Sequence, residues 1–396
     1  MLAKTIVSWL VVVVAVLACS ATARGQGRQH AVRPGDDYVA VLRRLQPGDE
    51  LVFLPGVHER AAMLELKGTA DRPITLRGQA DSTGRRPVVQ FTGKAHNLWR
   101  LTGSHVIIRD LELHAAHAYA LRVDRSDHVR IENCVFRDTG GGCLSANTAD
   151  VHALHVFRCY FTGSRRSPVY IGRHDGGLKV TDFRFEGNVI DGRQIETGEG
   201  YGIQLKLNVT GSVIRGNWIE QARGPGIMVY GATDDDPALG NLVEGNVVVG
   251  SRNNAGILVG AGPARVQGNL VLGNPRGGIR VYDYGGWDML RNIDVMENTA
   301  AGNGQYDMSF TGRLRNVRAE RNMVFVRPGS EGIRGPADVR ARNFPAPALP
   351  ALLAKIDALA KSRLAPGQLA AAVQRLPKEP MDAHTLTQWL DTVLAK

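Results

Sequence analysis

Gly187-Asn188-Val189-Ile190, Gly216-Asn217-Trp218-Ile219, Gly245-Asn246-Val247-Val248 and Gly268-Asn269-Leu270-Val271 are four copies of one phrase. Related forms stand at Asn133, Asn298 and Asn322, with Asp110 in the same role earlier. The steps from Asp110 through Asn133, Arg158, Asn188, Asn217, Asn246, Asn269, Asn298 and Asn322 are 23, 25, 30, 29, 29, 23, 29 and 24 residues. A fixed unit with a loop of variable length is the mark of a solenoid. A second phrase falls between copies of the first: Gly202-Ile203-Gln204-Leu205, Gly226-Ile227-Met228-Val229, Gly256-Ile257-Leu258-Val259 and Gly278-Ile279-Arg280-Val281. Both alternate with period two, so each coil offers several short strands with apolar residues facing in. A strand of four residues cannot stand alone. Stacked on its copy at about 4.8 Å, it is hydrogen-bonded above and below and buries a continuous core. The expected fold is all-β: a right-handed parallel β-helix of about eight or nine coils. The repeated Asn is expected as a structural turn residue, tolerant of the left-handed conformation.

Composition agrees with this reading. The chain has 396 residues, 46 of them glycine, with 6% aromatics. That is long for one compact core and suits a turn-rich, strand-rich chain. The net charge of +10 is spread along the sequence instead of gathered in a basic arm. This argues against a nucleic-acid partner and suits an acidic polymer lying along an extended surface. Cys134 and Cys159 share the contexts Asn-Cys-Val-Phe and Arg-Cys-Tyr-Phe and are expected to point inward from neighbouring coils. No metal-binding spacing of Cys and His is present.

The ends differ from the middle. Lys4, the apolar run Ile6–Ala18 and Ala21-Thr22-Ala23 read as a signal peptide over residues 1–23, too short for a membrane span. Export to the periplasm or medium follows. Val16-Leu17-Ala18-Cys19 offers the alternative of lipidation at Cys19 and an outer-membrane anchor. Residues 24–330 are assigned to the β-helix. Asp36–Leu45 is expected as an N-terminal capping helix with Val39, Leu42 and Leu45 on one side. Residues 331–350 read as a Pro-rich linker. Residues 351–396 read as a helical tail (about Ala351–Arg363, Pro366–Arg375 and Ala383–Leu394) that either caps the far end or docks a partner.

Pro47-Gly48-Asp49-Glu50-Leu51-Val52-Phe53-Leu54-Pro55-Gly56, followed by Gly68-Thr69-Ala70-Asp71-Arg72-Pro73-Ile74-Thr75-Leu76-Arg77, resembles the start of secreted family 6 polysaccharide lyases, the alginate lyases and chondroitinase B-like lyases. The Gly-Asn and Gly-Ile coils are similar to those of mannuronan C5-epimerases. The resemblance spans roughly residues 36–326 and implies a β-helix acting on a uronic-acid polymer. The departures are definite. The nearest string to the epimerase Asp-Pro-His-Asp motif is Gly172-Arg173-His174-Asp175, without the Pro and out of step, and no Arg stands one coil after Lys206 where the lyases place theirs; Arg173 lies one coil earlier.

The residues pointing out of the Gly-Ile strands should form two columns. One runs Arg122, Ser145, Tyr170, Gln204, Met228, Leu258, Arg280, Ser309; the other runs Asp124, Asn147, Gly172, Lys206, Tyr230, Gly260, Tyr282, Thr311. β-Elimination on a uronate needs a base for the C5 proton, an acid for the leaving oxygen and a cation at the carboxylate. Lys206 or His174 is the expected base, Tyr230 its partner, and Arg173 or Arg280 the clamp. Tyr170, Gln204, Tyr282, Tyr284 and Trp287 are expected to contact sugars. Glu196, Glu199, Asp234 and Asp235 are candidate Ca2+ ligands, because hard cations take several oxygens. No nucleotide or redox cofactor motif is seen. The competing expectation is a non-catalytic β-helix that binds polysaccharide or serves as an envelope scaffold, with aromatics on this face but no perturbed Lys, His or Tyr cluster.

Overall fold

The computed structural model describes residues 27–94, 97–231 and 236–395. The expected signal peptide, Cys19, Asp234 and Asp235 lie outside them. The described chain is a parallel β-helix with three strands per coil. Gly-Ile strands such as Ile203–Leu205, Ile227–Val229 and Ala255–Val259 stack on a first face. Val213–Arg215, Asn241–Glu244 and Ala264–Gln267 stack on a second. Val189–Asp191, Trp218–Glu220 and Val247–Val249 stack on a third. Every named pairing is parallel, and the inward residues Ile203, Leu205, Ile227, Val229, Ile257, Val259, Ile279 and Val281 are fully buried.

The stack is longer than the repeat count implies. The third face holds a 12-stranded sheet. Val57–Glu59 and Val88–Phe91 begin it, and Phe344–Pro347 ends it. These rungs lack the Gly-Asn phrase that marks the others. The expected linker is corrected accordingly: within 331–350, Glu331–Arg334 pairs on the first face and Phe344–Pro347 on the third.

A buried amide ladder runs up the turn between the second and third faces. The side-chain nitrogens of Asn217, Asn246, Asn269 and Asn298 each donate to the oxygen of the Asn one coil on, at 2.8–2.9 Å. The same oxygens accept backbone N–H groups, as Asn246 does from Asn217 at 3.0 Å. The left-handed position is the residue before each Asn: Gly187, Gly216, Gly245 and Gly268. Asp110, Asn133 and Arg158 occupy that same position, with φ of 50–60°. The sequence alignment was thus one residue out in the early coils. There the ladder place belongs to Cys134 and Cys159, both buried, and the backbone N–H of Cys159 donates to Asn188 at 2.8 Å.

Five α-helices complete the described residues. Helix α1 (Tyr38–Leu42) closes the N-terminal end, burying Tyr38, Val39 and Leu42, with Leu45 beside them. Helix α2 (Ala337–Ala341) inserts Val339 into the core at the other end. Helices α3 (Pro350–Lys361), α4 (Pro366–Gln374) and α5 (Ala383–Leu394) lie where the sequence placed them but do not cap. They cover the third face from outside. Val189, Trp218, Val247 and Leu270 point outward there and pack with Leu352, Ile356, Leu359, Leu369, Trp389 and Leu390. Trp218 and Trp389 stack with ring centroids 6.3 Å apart. Arg193 donates to the Ser362 carbonyl, and Gln221 to the Ala360 carbonyl at 2.8 Å. No described helix is long and apolar enough to cross a membrane.

Candidate active site

The register of the first face sets the columns. Tyr170 pairs with Gln204, Gln204 with Met228, Met228 with Leu258, and Leu258 with Arg280, as the sequence predicts. The face is not flat and open, however. Ser145, Gln204, Met228, Leu258 and Ser309 are buried although they point away from the core. The connecting segments roof the middle of the face and enclose Tyr201, Leu207, Met228, Tyr230 and Leu258 in a second apolar cluster, with Trp287 and Met289 at its edge.

Lys206 sits at the centre of this enclosure, 9% exposed. Its ammonium lies 4.2 Å from the Tyr230 ring centre and 5.5 Å from that of Tyr170. Strand stacking produces this contact, since residues just past Leu205 and Val229 fall in adjacent coils. Burial of the amine draws its pKa down to about 8, against the opposing pull of the Glu199 carboxylate. Cation–π contact attracts the charged form, but its scale of roughly 0.5–2 kcal/mol does not replace full hydration.

Three tyrosine hydroxyls meet beside it. Tyr201 lies 3.3 Å from Tyr230 and donates to Tyr284 at 3.5 Å, oxygen to oxygen. Desolvation pushes the pKa of Tyr201 and Tyr230 upward, and that of Tyr170 up to about 12. Gln204 also bonds Tyr230 through its side chain. The loop after Val281 delivers Tyr284 and Trp287 because Asp283 accepts the backbone N–H of Trp287 at 2.9 Å and of Asp288 at 3.1 Å, which closes the loop on itself. Trp287 then packs 5.4 Å from Tyr230, ring to ring.

Of the other expected residues, Arg173 and His174 follow Gly172, which packs against Lys206 and Val209. Arg173 donates to Asp175 at 2.7 Å in an exposed turn, and His174 is exposed beside them. Arg280 belongs to a further group, stacked 5.0 Å from Tyr282 and 5.8 Å from Tyr306, with Arg334 on the same Tyr306 ring at 4.9 Å. The Nε of Arg280 is buried without a hydrogen-bond partner. Three strand spacings separate it from Gln204, or about 14 Å. Glu196 is tied to Arg165 at 3.3 Å. Among the described residues, three or more carboxylate, imidazole or thiol groups converge at one place only, and Glu196 and Glu199 are not in it. Asp234 and Asp235, the other two expected ligands, lie outside the described residues, and no step below passes through calcium.

Sequence reading missed Tyr201. It lies on the segment leading into a strand, outside the outward columns, and only the folded-over roof brings it in. A groove of about 860 Å³ exists elsewhere, between the third face and α4. Its Arg137 and Arg158 are already paired with Glu112 and Glu132.

Residues 98–274 match the family described as "Right handed beta helix region". Among solved structures, the alginate lyase from Paenibacillus sp. str. FPU-7 superposes with a TM-score of 0.53 at 15% identity, over 80% of this chain and 99% of its own. The catalytic unit of the thermostable GH87 α-1,3-glucanase from Streptomyces thermodiastaticus strain HF3-3 gives 0.53 at 16%, over 83% and 68%. A PL6 family polysaccharide lyase from Pseudopedobacter saltans gives 0.50 at 13%, over 90% and 98%. These likenesses show the right-handed β-helix fold. No curated protein matches the chain in sequence.

Proposed function

We propose that this protein is a carbohydrate-active β-helix that holds an acidic, uronate-containing polysaccharide against its first face and cleaves it by β-elimination at Lys206. The observation that carries the reading is the desolvated Lys206 amine, packed on Tyr230 and Tyr170 beside a meeting point of tyrosine hydroxyls. A neutral amine in that setting accepts the C5 proton, and a tyrosine hydroxyl protonates the leaving oxygen as the C4–O bond breaks. Tyr282 and Tyr284, each 38% exposed, offer ring faces to sugars. The net charge of +10 favours an anionic polymer. Solved structures with this fold include an alginate lyase, which makes alginate the first polymer to try.

The clamp for the uronate carboxylate is the weakest-supplied part. Arg280 stands on the same face, but three strand spacings away, or about 14 Å, it serves a sugar farther along the polymer and not the one at Lys206. That spacing favours a second reading, a binder of the same polymer that does not cleave it. One experiment separates them. The protein is incubated with alginate, pectate, chondroitin and hyaluronan, with and without Ca2+, while the ultraviolet absorbance of the unsaturated uronate product is followed. A rise lost in Lys206→Ala supports the lyase. Retention on a polymer in affinity electrophoresis with no rise leaves the binder, and no retention on any of them removes both. Either reading needs export, through residues 1–23 or a Cys19 anchor. Cell fractionation of Cys19→Ser distinguishes these routes.

A further inference from the structure

The turn that leads from the first face into the second carries a cluster that neither reading of the tyrosine site uses. His105 and His128 stack with ring centroids 4.8 Å apart and planes 22° from parallel. The pairing that makes them neighbours is explicit: Ser104 pairs with Asp127 and Val106 with Val129, so His105 lies over His128. Asp127 stands beside them, its carboxylate accepting from His128 Nδ1 at 2.8 Å. One ligand atom from each of His105, Asp127 and His128 falls within 4.8 Å of the others. The next coil adds a third imidazole. His152 pairs in register with Asp127, and its ring centre is 5.6 Å from that of His128.

We propose that His105, Asp127 and His128 bind one divalent transition-metal ion of the zinc, nickel or copper type, with His152 or water as the fourth ligand. Two imidazoles and a carboxylate match the preferences of these ions, and calcium, which takes oxygen ligands, is disfavoured. Bonds of about 2.0–2.1 Å need ligand atoms roughly 3.3 Å apart, a closure of at most about 1.5 Å for any pair. His128 and His152 are exposed and His105 is half-buried, so side-chain rotation supplies it without moving the strands. His105, His128 and His152 are 23 and 24 residues apart, which is why no local motif announces the site. It lies three coils before Lys206 and joins separate turns of the stack, so the bound ion acts as a clip between coils and not as part of the cleavage chemistry.

Calorimetric titration of the purified protein with Zn2+, and the visible spectrum with Co2+, test this. The expected result is one ion per chain, a cobalt spectrum of low coordination number, and a rise in melting temperature with Zn2+ that Ca2+ does not give. His105→Asn and His128→Asn, chosen because Asn tolerates the left-handed backbone at these positions, should each weaken binding by about tenfold or more. His155→Ala, whose native ring is 3.0 Å from Asp182, should leave it unchanged. Absent binding, or binding that survives in the His105→Asn/His128→Asn double variant, overturns the proposal.

Discussion

The first and third faces are built from the same unit, yet they have opposite exteriors. On the third face the outward positions are Val189, Trp218, Val247 and Leu270, and helices α3–α5 cover them. On the first face the outward positions are Tyr170, Gln204, Met228, Leu258 and Arg280, roofed only by the chain's own connecting segments. One exterior is dry and uniform. The other mixes a desolvated amine, hydroxyls and ring faces. Uniform apolar burial is the arrangement that maximises stability, whereas a buried amine among aromatics lowers it. A group kept against its own solvation is a reasonable place to look for chemistry.

The largest expected effect tests that contrast on the first face. Lys206→Ala should slow elimination by about 10²–10⁴-fold, the usual contribution of a general base, measured as initial product absorbance. Its effect on folding should have the opposite sign to that of a core deletion. Lys206→Met should raise the melting temperature at neutral pH, because it removes a charge that burial disfavours. On the third face, Trp389→Ala should cost about 3–5 kcal/mol in denaturant unfolding and leave the elimination chemistry intact in the remaining folded protein. If Trp389→Ala and Lys206→Met shift stability in the same direction, the contrast between the faces fails.

Smaller effects sharpen it. Asn246→Ala leaves the Asn217 side-chain and backbone donors without their shared acceptor, and should cost about 1–3 kcal/mol in the same unfolding assay. The pH dependence follows from the Lys206 pKa of about 8 in the folded chain against an ordinary 10.5. Between those values the unfolded chain holds a proton that the folded chain has released, so folding stability should rise with pH across the window. Below pH 8 both states hold the proton and the dependence vanishes. Lys206→Met should abolish this rise. For catalysis by the free amine, the rate should climb about tenfold from pH 7 to 9 and then level off.

Much of this was legible in the chain. Gly-Ile spacing gave the register of the outward columns, from Tyr170 to Arg280, because a strand period of two leaves no freedom once the inward residues are assigned. The three tail helices were readable from Ala/Leu runs bounded by Pro366 and Asp382. Their docking place was not read, although a signal existed: Val247-Val248-Val249 and Leu270-Val271-Leu272 are apolar at every position, which marks strands covered on both sides. The Asn column was placed one residue out in the early coils because Asn133 and Arg158 adopt the conformation that Gly187 and Gly216 adopt later. Those residues share the backbone shape of the later glycines but not the side-chain role of the later asparagines. Tyr201 and the His105–His128 pair were out of reach for a different reason. Each depends on loops or coils meeting across more than twenty residues, with no repeat phrase to mark the contact.

The Asn ladder has a polarity. From Asn188 to Asn322 each side-chain amide donates toward the C-terminal end and accepts from the N-terminal side. At Asn343 the run stops, its nitrogen donating to backbone carbonyls of Ala319 and of Val339 in α2. Aligned amides polarise one another, so the column behaves as a chain of coupled dipoles rather than as separate contacts. Cutting it at Asn246 leaves two short chains, while cutting it at Asn343 merely trims one end. The same substitution should therefore be felt more in the middle of the molecule than at its tip, a directional sensitivity that the near-identical coils would not otherwise possess.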